Sequence, residues 1–161
     1  MNLNKLTLKR INGDLKHFNN NGLENIMIYP NPDNILEIYF LLKGEKNTNF
    51  ENGEYLCKLQ HNKDYPLKAP DYYVYTPNGR FTCDRKICLT NSAFHQSDWA
   101  PGAWNLLTLL NGFYSIWHSD EKEDKVGIGH CKHSSEEIKL YAKNSNEYNK
   151  TKLQDIYKNF Y

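Results

Sequence analysis

Apolar positions recur at two different spacings along this chain, and the changes of spacing mark out its elements. Leu8, Ile11, Leu15 and Phe18 repeat at i, i+3, i+7 and i+10, which predicts an opening amphipathic helix with Lys5, Lys9, Arg10 and Lys16 on its solvent face. The Asn-Asn-Asn-Gly run at 19–22 ends it. Shorter strand-like segments come next at 24–29, 34–43, 54–61 and 71–76, each bounded by Pro, Asn or Gly clusters. Four strands at short spacing with no helix between them predict an antiparallel meander. Between the third and fourth, Tyr65-Pro66-Leu67-Lys68-Ala69-Pro70 reads as a rigid exposed loop, because its prolines exclude regular pairing.

The helical period returns after a loop at Trp99-Ala100-Pro101-Gly102, where Leu106, Leu110, Phe113 and Trp117 predict the most apolar helix of the chain. A charged connector at 120–125 precedes Ser134-Ser135-Glu136-Glu137, a capping-box pattern predicted to open a helix running to about Asn144. A last helix is predicted around 150–159. The resulting class is α+β: one N-terminal helix, a four-stranded antiparallel meander, an extended loop, a central helix and two C-terminal helices. At 161 residues this is a single domain, long enough to bury roughly 70% of its unfolded surface.

Charge and composition narrow the functional classes. A net charge of +1 gives no basic footprint for nucleic acid. Although the mean hydropathy is −0.79, the 12 Tyr, 7 Phe and 3 Trp exclude a disordered chain. Neither a signal-peptide pattern nor a run of about 18 apolar residues is present, so a reducing compartment is expected. There Cys57, Cys83, Cys88 and Cys131 are expected as free, metal-bound or catalytic thiols, not disulfides.

Candidate chemistry concentrates at 76–90, TPNGRFTCDRKICLT. Pro77-Asn78-Gly79 is a strong turn signal that ends the fourth strand. Ten residues after Asn78, Cys88 lies between Ile87 and Leu89, apolar anchors that would press a short extended segment against a core and present the thiol.

These motifs give the chain a family likeness. The order YP-x-K-x-P, TPNGRF, ICL and then W-x-P before an apolar helix resembles the ubiquitin-conjugating enzymes across nearly the whole length. Within that family it is most similar to the endoplasmic-reticulum-associated-degradation branch, which carries TPNGRF where most members carry His-Pro-Asn. The segments PDNILEIYFLLKGEKNT and LYAKNSNEYN resemble that branch too. Ala69 replaces a proline of the proline loop, Leu67 stands where Phe is common, and the loop through Trp104 is one residue longer.

The resemblance implies a ubiquitin-conjugating fold and a nucleophilic Cys88 charged with ubiquitin by an activating enzyme. Asn78 would hold the loop and offer an N–H to the oxyanion, and His95 and Thr76 are candidate auxiliaries. Lys5 and Lys9 correspond to the activating-enzyme face, and Leu67 and Pro101 to positions that touch a RING-type ligase. No cofactor is expected, since ATP is consumed by the upstream enzyme, and no metal. The implied partners are ubiquitin, the activating enzyme, the ligase and a protein substrate, and the chain is expected to act as a monomer. The branch usually continues into a C-terminal membrane anchor outside this sequence, so the expected location is the cytoplasm, at the cytosolic face of the endoplasmic reticulum if an anchor is present beyond it.

The chemistry suits that reading, because a thiolate is both nucleophile and leaving group in acyl transfer. Thr90 stands after the ICL where many members carry Asp. With fewer carboxylates near Cys88, hydroxyl as well as lysine acceptors are expected, and Asp84 and Asp98 are the nearest acidic candidates. A zinc site from Cys83, Cys88, His130, Cys131 and His133 is disfavoured, since the spacing lacks paired C-x2-C or H-x3-H turns. The alternative of a catalytically inactive interaction module is weakened by the presence of Cys88. A thiol hydrolase would need a positioned histidine that the sequence does not reveal.

Overall fold

The computed structural model describes residues 3–87, 89, 97–119 and 129–161. The connector read at 120–125 lies outside them. Helix α1 covers Lys5–Asn21, opened by the Asn4 side chain, which accepts the Leu6 N–H at 2.9 Å, and closed by Gly22 at φ 65. Its buried face is Thr7, Ile11, Asp14 and Phe18. The apolar period placed Leu8 there instead, yet Leu8 is 39% exposed.

Polar pairing fixes this rotation. The Thr7 hydroxyl donates to the Lys63 carbonyl at 3.0 Å, and Asp14 accepts from the Tyr65 hydroxyl at 2.5 Å and from Arg10 Nε at 3.1 Å. Arg10, expected in solvent, folds back through Asp14 and donates to the carbonyls of Pro101 and Trp104.

The sheet is the expected antiparallel meander, β1 (Ile26–Pro30), β2 (Glu37–Lys43), β3 (Glu54–Gln60) and β4 (Asp71–Val74), in that spatial order. Ile28 faces Phe40, Phe40 faces Cys57, and Cys57 faces Val74. Helix α2 (Leu106–Trp117) packs its fully buried Leu106, Leu109, Leu110, Phe113 and Trp117 into the core formed with one face of the sheet. Phe113 meets Phe40 edge-on at 5.5 Å and stacks on Tyr72 at 5.1 Å. Asn105 and Thr108 form a reciprocal capping box at its start.

The other face of β2 and β3 is also covered. Leu41, Leu56 and Tyr157 form a second cluster, joined by Leu153, Ile156 and Phe160 from the C-terminal segment. Two covered faces explain why Phe40-Leu41-Leu42 reads as a continuous apolar run with no alternation.

Two expectations need correcting. Helix α3 spans Ser135–Lys152 and does not stop near Asn144; the break comes at Leu153, before α4 (Gln154–Tyr157) and a 3-10 turn at Lys158–Phe160. Ser145 and Asn149 lie on its buried side and bond β3, so tertiary contacts carry the helix through an Asn-rich stretch of weak propensity. The proline loop is exposed only at its tip. Leu67 is 69% exposed, but Tyr65, Ala69 and Pro70 are buried, and Pro66 is preceded by a cis peptide bond. Among the described residues, no helix is long and apolar enough to cross a membrane.

His61 lies against Tyr65 with ring centroids 4.4 Å apart, and burial depresses its imidazole from 6.5 to about 4. The unfolded chain therefore binds a proton that the folded one refuses between those values. Stability should be complete above pH 6.5 and should fall by about 2 kcal/mol by pH 5. Denaturant unfolding at pH 7.5 and pH 5 checks this: His61→Phe should flatten the dependence, and an undiminished fall in that variant would show that another group carries it.

Candidate active site

The site is built where β4 stops short. In the antiparallel ladder the backbone groups of Glu54 and Leu56 point away from β2, towards β4, but β4 ends at Val74. Tyr75 N–H still reaches the Leu56 carbonyl at 2.8 Å. Beyond it, side chains complete the rungs. Thr76 Oγ1 accepts the Leu56 N–H at 2.8 Å, Ser145 Oγ accepts the Glu54 N–H at 2.9 Å, and Asn149 Nδ2 donates to the Glu54 carbonyl at 2.8 Å. The Thr76 hydroxyl then donates to Asn149 Oδ1 at 2.6 Å, and both residues are fully buried. Thr76 thus pins the start of the loop to strand and helix together.

Asn78 organises the turn after Pro77. Its Nδ2 donates to the carbonyls of Thr76 (2.9 Å) and Phe81 (3.1 Å), while its Oδ1 accepts the N–H groups of Arg80 (2.8 Å) and Phe81 (2.7 Å). Both amide hydrogens and both acceptor positions are engaged, and the residue is 1% exposed. The expected oxyanion donor therefore acts as a loop organiser in this conformation. Direct donation requires Nδ2 to give up one of its two carbonyl partners, Thr76 or Phe81.

Gly79 turns the chain at φ 86, and a Cβ there would stand 2.9 Å from Ile138. Arg80 Nη2 donates to the Ile116 carbonyl at 2.7 Å and to Ser119 Oγ at 3.1 Å, placing its charge at the C-terminal end of α2, where the helix dipole favours a cation. Phe81 packs against Phe113 and Trp117 at 5.7 and 5.2 Å and forms an isolated bridge with His130. The chain then returns to the sheet: Asp84 N–H donates to Val74 O at 3.0 Å and Ile87 N–H to Tyr72 O at 3.1 Å.

Ile87 is fully buried and Leu89 is 4% exposed, so both neighbours of position 88 are anchored as expected. Cys88, Thr90 and His95 lie outside the described residues. Cys83 is half-buried and its thiol is pushed up to about 11 by burial, with the Asp84 carboxylate adding to the effect. Cys57 is fully buried and its thiol is raised further. Both stay protonated at neutral pH, which makes them poor nucleophiles. Asp84 and Asp98 are exposed, and Asp84 adopts a left-handed φ of 61.

The surrounding loops are tied to one another. Trp99 Nε1 donates to the Pro66 carbonyl at 2.7 Å, and Arg10 bonds the loop that carries the half-buried Pro101. Leu67, Pro101 and α1 are thereby linked in one assembly, with Lys5 and Lys9 exposed on the helix.

Against this geometry, residues 10–150 match the family described as ubiquitin-conjugating enzyme. The chain belongs to the ubiquitin-conjugating enzyme family. It is 34% identical over 152 residues to ubiquitin-conjugating enzyme E2 6 of Debaryomyces hansenii, covering 94% of this chain and 61% of that protein. With the protein of the same name in Kluyveromyces lactis it shares 36% over 141 residues, 88% of this chain and 54% of the relative. With ubiquitin-conjugating enzyme E2 J2-like of Dictyostelium discoideum it shares 32% over 143 residues, 89% and 81% respectively. The chain thus spans little more than half the length of the two yeast relatives.

Within this ubiquitin-conjugating domain, Asn149, Ser145 and Arg80 were not singled out by the sequence. The available signal was the series Ala142, Ser145, Asn149 at i, i+3, i+7, a small and polar stripe on a helix that is polar all round.

The filled hydrogen-bond shell of Asn78 generates a prediction. In Asn78→Asp one carboxylate oxygen faces two carbonyls, so the folded state raises that carboxyl above its ordinary value of about 3.9. A raised carboxyl contributes stability at low pH that is lost as pH rises. The variant should therefore be destabilised by about 3 kcal/mol at pH 8 and by less at pH 5. Thermal melts at both values test it, and an equal deficit would mean that the carbonyls do not face the side chain.

Proposed function

We propose that this chain accepts ubiquitin from an activating enzyme as a thioester on Cys88 and passes it, with a RING-type ligase, to a substrate lysine or hydroxyl group. The observation that carries the reading is the loop from Thr76 to Leu89. In a member of this family, a fully engaged Asn78 shapes the turn, and Ile87 and Leu89 are buried on either side of Cys88.

The chemistry runs in two transfers. The Cys88 thiolate attacks the carbonyl of the activating enzyme's thioester, and the oxyanion that forms collapses with loss of the first thiolate. An acceptor amine or hydroxyl then attacks the new thioester, Cys88 leaves as thiolate, and the acceptor's proton passes to solvent. Asn78 supports both steps by fixing the loop, and His95 and Thr90 are close enough in sequence to assist or to admit a hydroxyl acceptor. Thr76 contributes through the backbone it anchors, since its own hydroxyl is buried.

Partner surfaces obey the same logic. Leu67 at 69% exposure buries little area when unbound and suits a ligase contact, with Pro101 on the loop tied beside it. Exposed Lys5 and Lys9 suit the activating enzyme. Ubiquitin and a protein substrate complete the set, with ATP used only upstream. The likeness of TPNGRF to the endoplasmic-reticulum-associated branch is what favours a place for this domain at the cytosolic face of that membrane.

A serine oxygen forms an ester that thiol reductants do not cleave. Incubated with activating enzyme, ubiquitin and ATP, the wild type should form a reductant-labile adduct and Cys88→Ser a reductant-stable one. Cys83→Ser should keep the labile adduct, since that thiol is protonated at neutral pH. Loss of charging in Cys83→Ser alone would reassign the nucleophile.

A further inference from the structure

The link between Thr76 and Asn149 joins the loop to a helix remote from it in sequence, and its chemistry is specific. Asn149 meets two demands at once. Its Oδ1 accepts from the Thr76 hydroxyl at 2.6 Å while its Nδ2 donates to the Glu54 carbonyl at 2.8 Å, and a side-chain amide of this length offers an acceptor and a donor across one planar group without a proton to gain or lose. Thr76 is equally committed, since its hydroxyl accepts from Leu56 and donates to Asn149. Its carbonyl in turn holds Asn78 Nδ2 at 2.9 Å. A continuous, fully buried chain of hydrogen bonds therefore runs from α3 through Thr76 to the side chain that shapes the active loop.

We propose that Asn149 is a positioning residue for acyl transfer, acting through the Thr76 hydroxyl on Asn78 and the loop that precedes Cys88. This rests on the thioester chemistry proposed above. The geometry gives the hydroxyl a definite purpose: it holds the Thr76 carbonyl at a fixed place and direction, and Asn78 is set by that carbonyl. Ser145 supplies an internal comparison. One turn earlier on α3 it bonds the same strand, accepting the Glu54 N–H at 2.9 Å and donating to the Ala142 carbonyl at 2.7 Å, but it makes no bond to Thr76.

The test reads the rate at which preformed thioester is discharged to free lysine, without ligase. Only folded molecules become charged, so a rate per thioester is insensitive to a lowered folded fraction. Thr76→Val keeps the shape and loses both hydroxyl bonds. It should slow discharge by about tenfold to a hundredfold at saturating lysine, with the half-saturating lysine concentration unchanged, because a small misplacement near the reacting atoms is costly.

Thr76→Ser should restore the rate to within about twofold, and Thr76→Val combined with Asn149→Ser should be no slower than the slower single variant, as expected of residues acting through one bond. Ser145→Ala should lower the melting temperature and leave the rate per thioester intact. If Thr76→Val does not fold, Asn149→Ser alone carries the same expectation. In the uncharged protein the side-chain amide resonances of Asn78 should also shift in Asn149→Ser and stay in place in Ser145→Ala.

Wild-type discharge rates in Thr76→Val and Asn149→Ser, or equal slowing by Ser145→Ala, would overturn the proposal and leave the link a matter of stability alone. A wild type that forms no adduct on Cys88 would instead remove the functional reading, and the positioning role with it.

Discussion

The site depends on an imbalance of strand lengths. β3 has seven residues and β4 has four, so the backbone of Glu54 and Leu56 is left without a neighbouring strand on one side. Buried backbone groups left unpaired cost roughly 1–3 kcal/mol each. The chain satisfies them with the Thr76 hydroxyl, the Ser145 hydroxyl and the Asn149 amide. Ending β4 early frees the chain to turn out of the sheet at Pro77. The turn itself is anchored by the Leu56 rung alone, which Thr76 completes and Asn149 holds.

Everything downstream inherits this anchorage. Asn78 folds the neighbouring backbone around its amide, Arg80 closes the C-terminal end of α2, and Phe81 enters the aromatic core beside Phe113 and Trp117. The loop thus touches the sheet, the central helix and α3, and Asp84 and Ile87 return it to β4. Ile87 and Leu89 are both buried and Ile87 is bonded to β4, so the two residues that flank position 88 are anchored to the sheet and core. The tip of the proline loop at Leu67 and Lys68 is exposed, while Tyr65, Ala69 and Pro70 on either side of it are buried.

How much of the fold was legible in the sequence depends on the kind of force involved. α2 and the four strands were readable because burial of Leu, Ile, Phe and Trp writes a period into the chain. Three features stayed hidden, and in each a buried polar pair decides the structure. The face of α1 is set by Thr7 and Asp14, not by Leu8. α3 continues past Asn144 because Ser145 and Asn149 have partners on β3. The proline loop turns inward because Tyr65 reaches Asp14. Hydropathy scores these residues as surface, and only the fold reveals what they bond. The motif TPNGRF was recognisable as a unit, but Thr76 and Asn78 act through atoms whose partners are 20 to 73 residues away or lie on the neighbouring backbone.

These buried hydrogen bonds should hold the loop from Thr76 to Phe81 as firmly as the sheet in the protein by itself. Native-state hydrogen exchange of the amides of Glu54, Leu56, Arg80 and Phe81 tests it most directly, since all four donate to side-chain oxygens. These amides should exchange as slowly as those of β2, through openings that cost nearly the full free energy of unfolding. Exchange near the rate of an unstructured peptide while β2 stays protected would contradict it, and would mean that the loop becomes ordered only when partners bind.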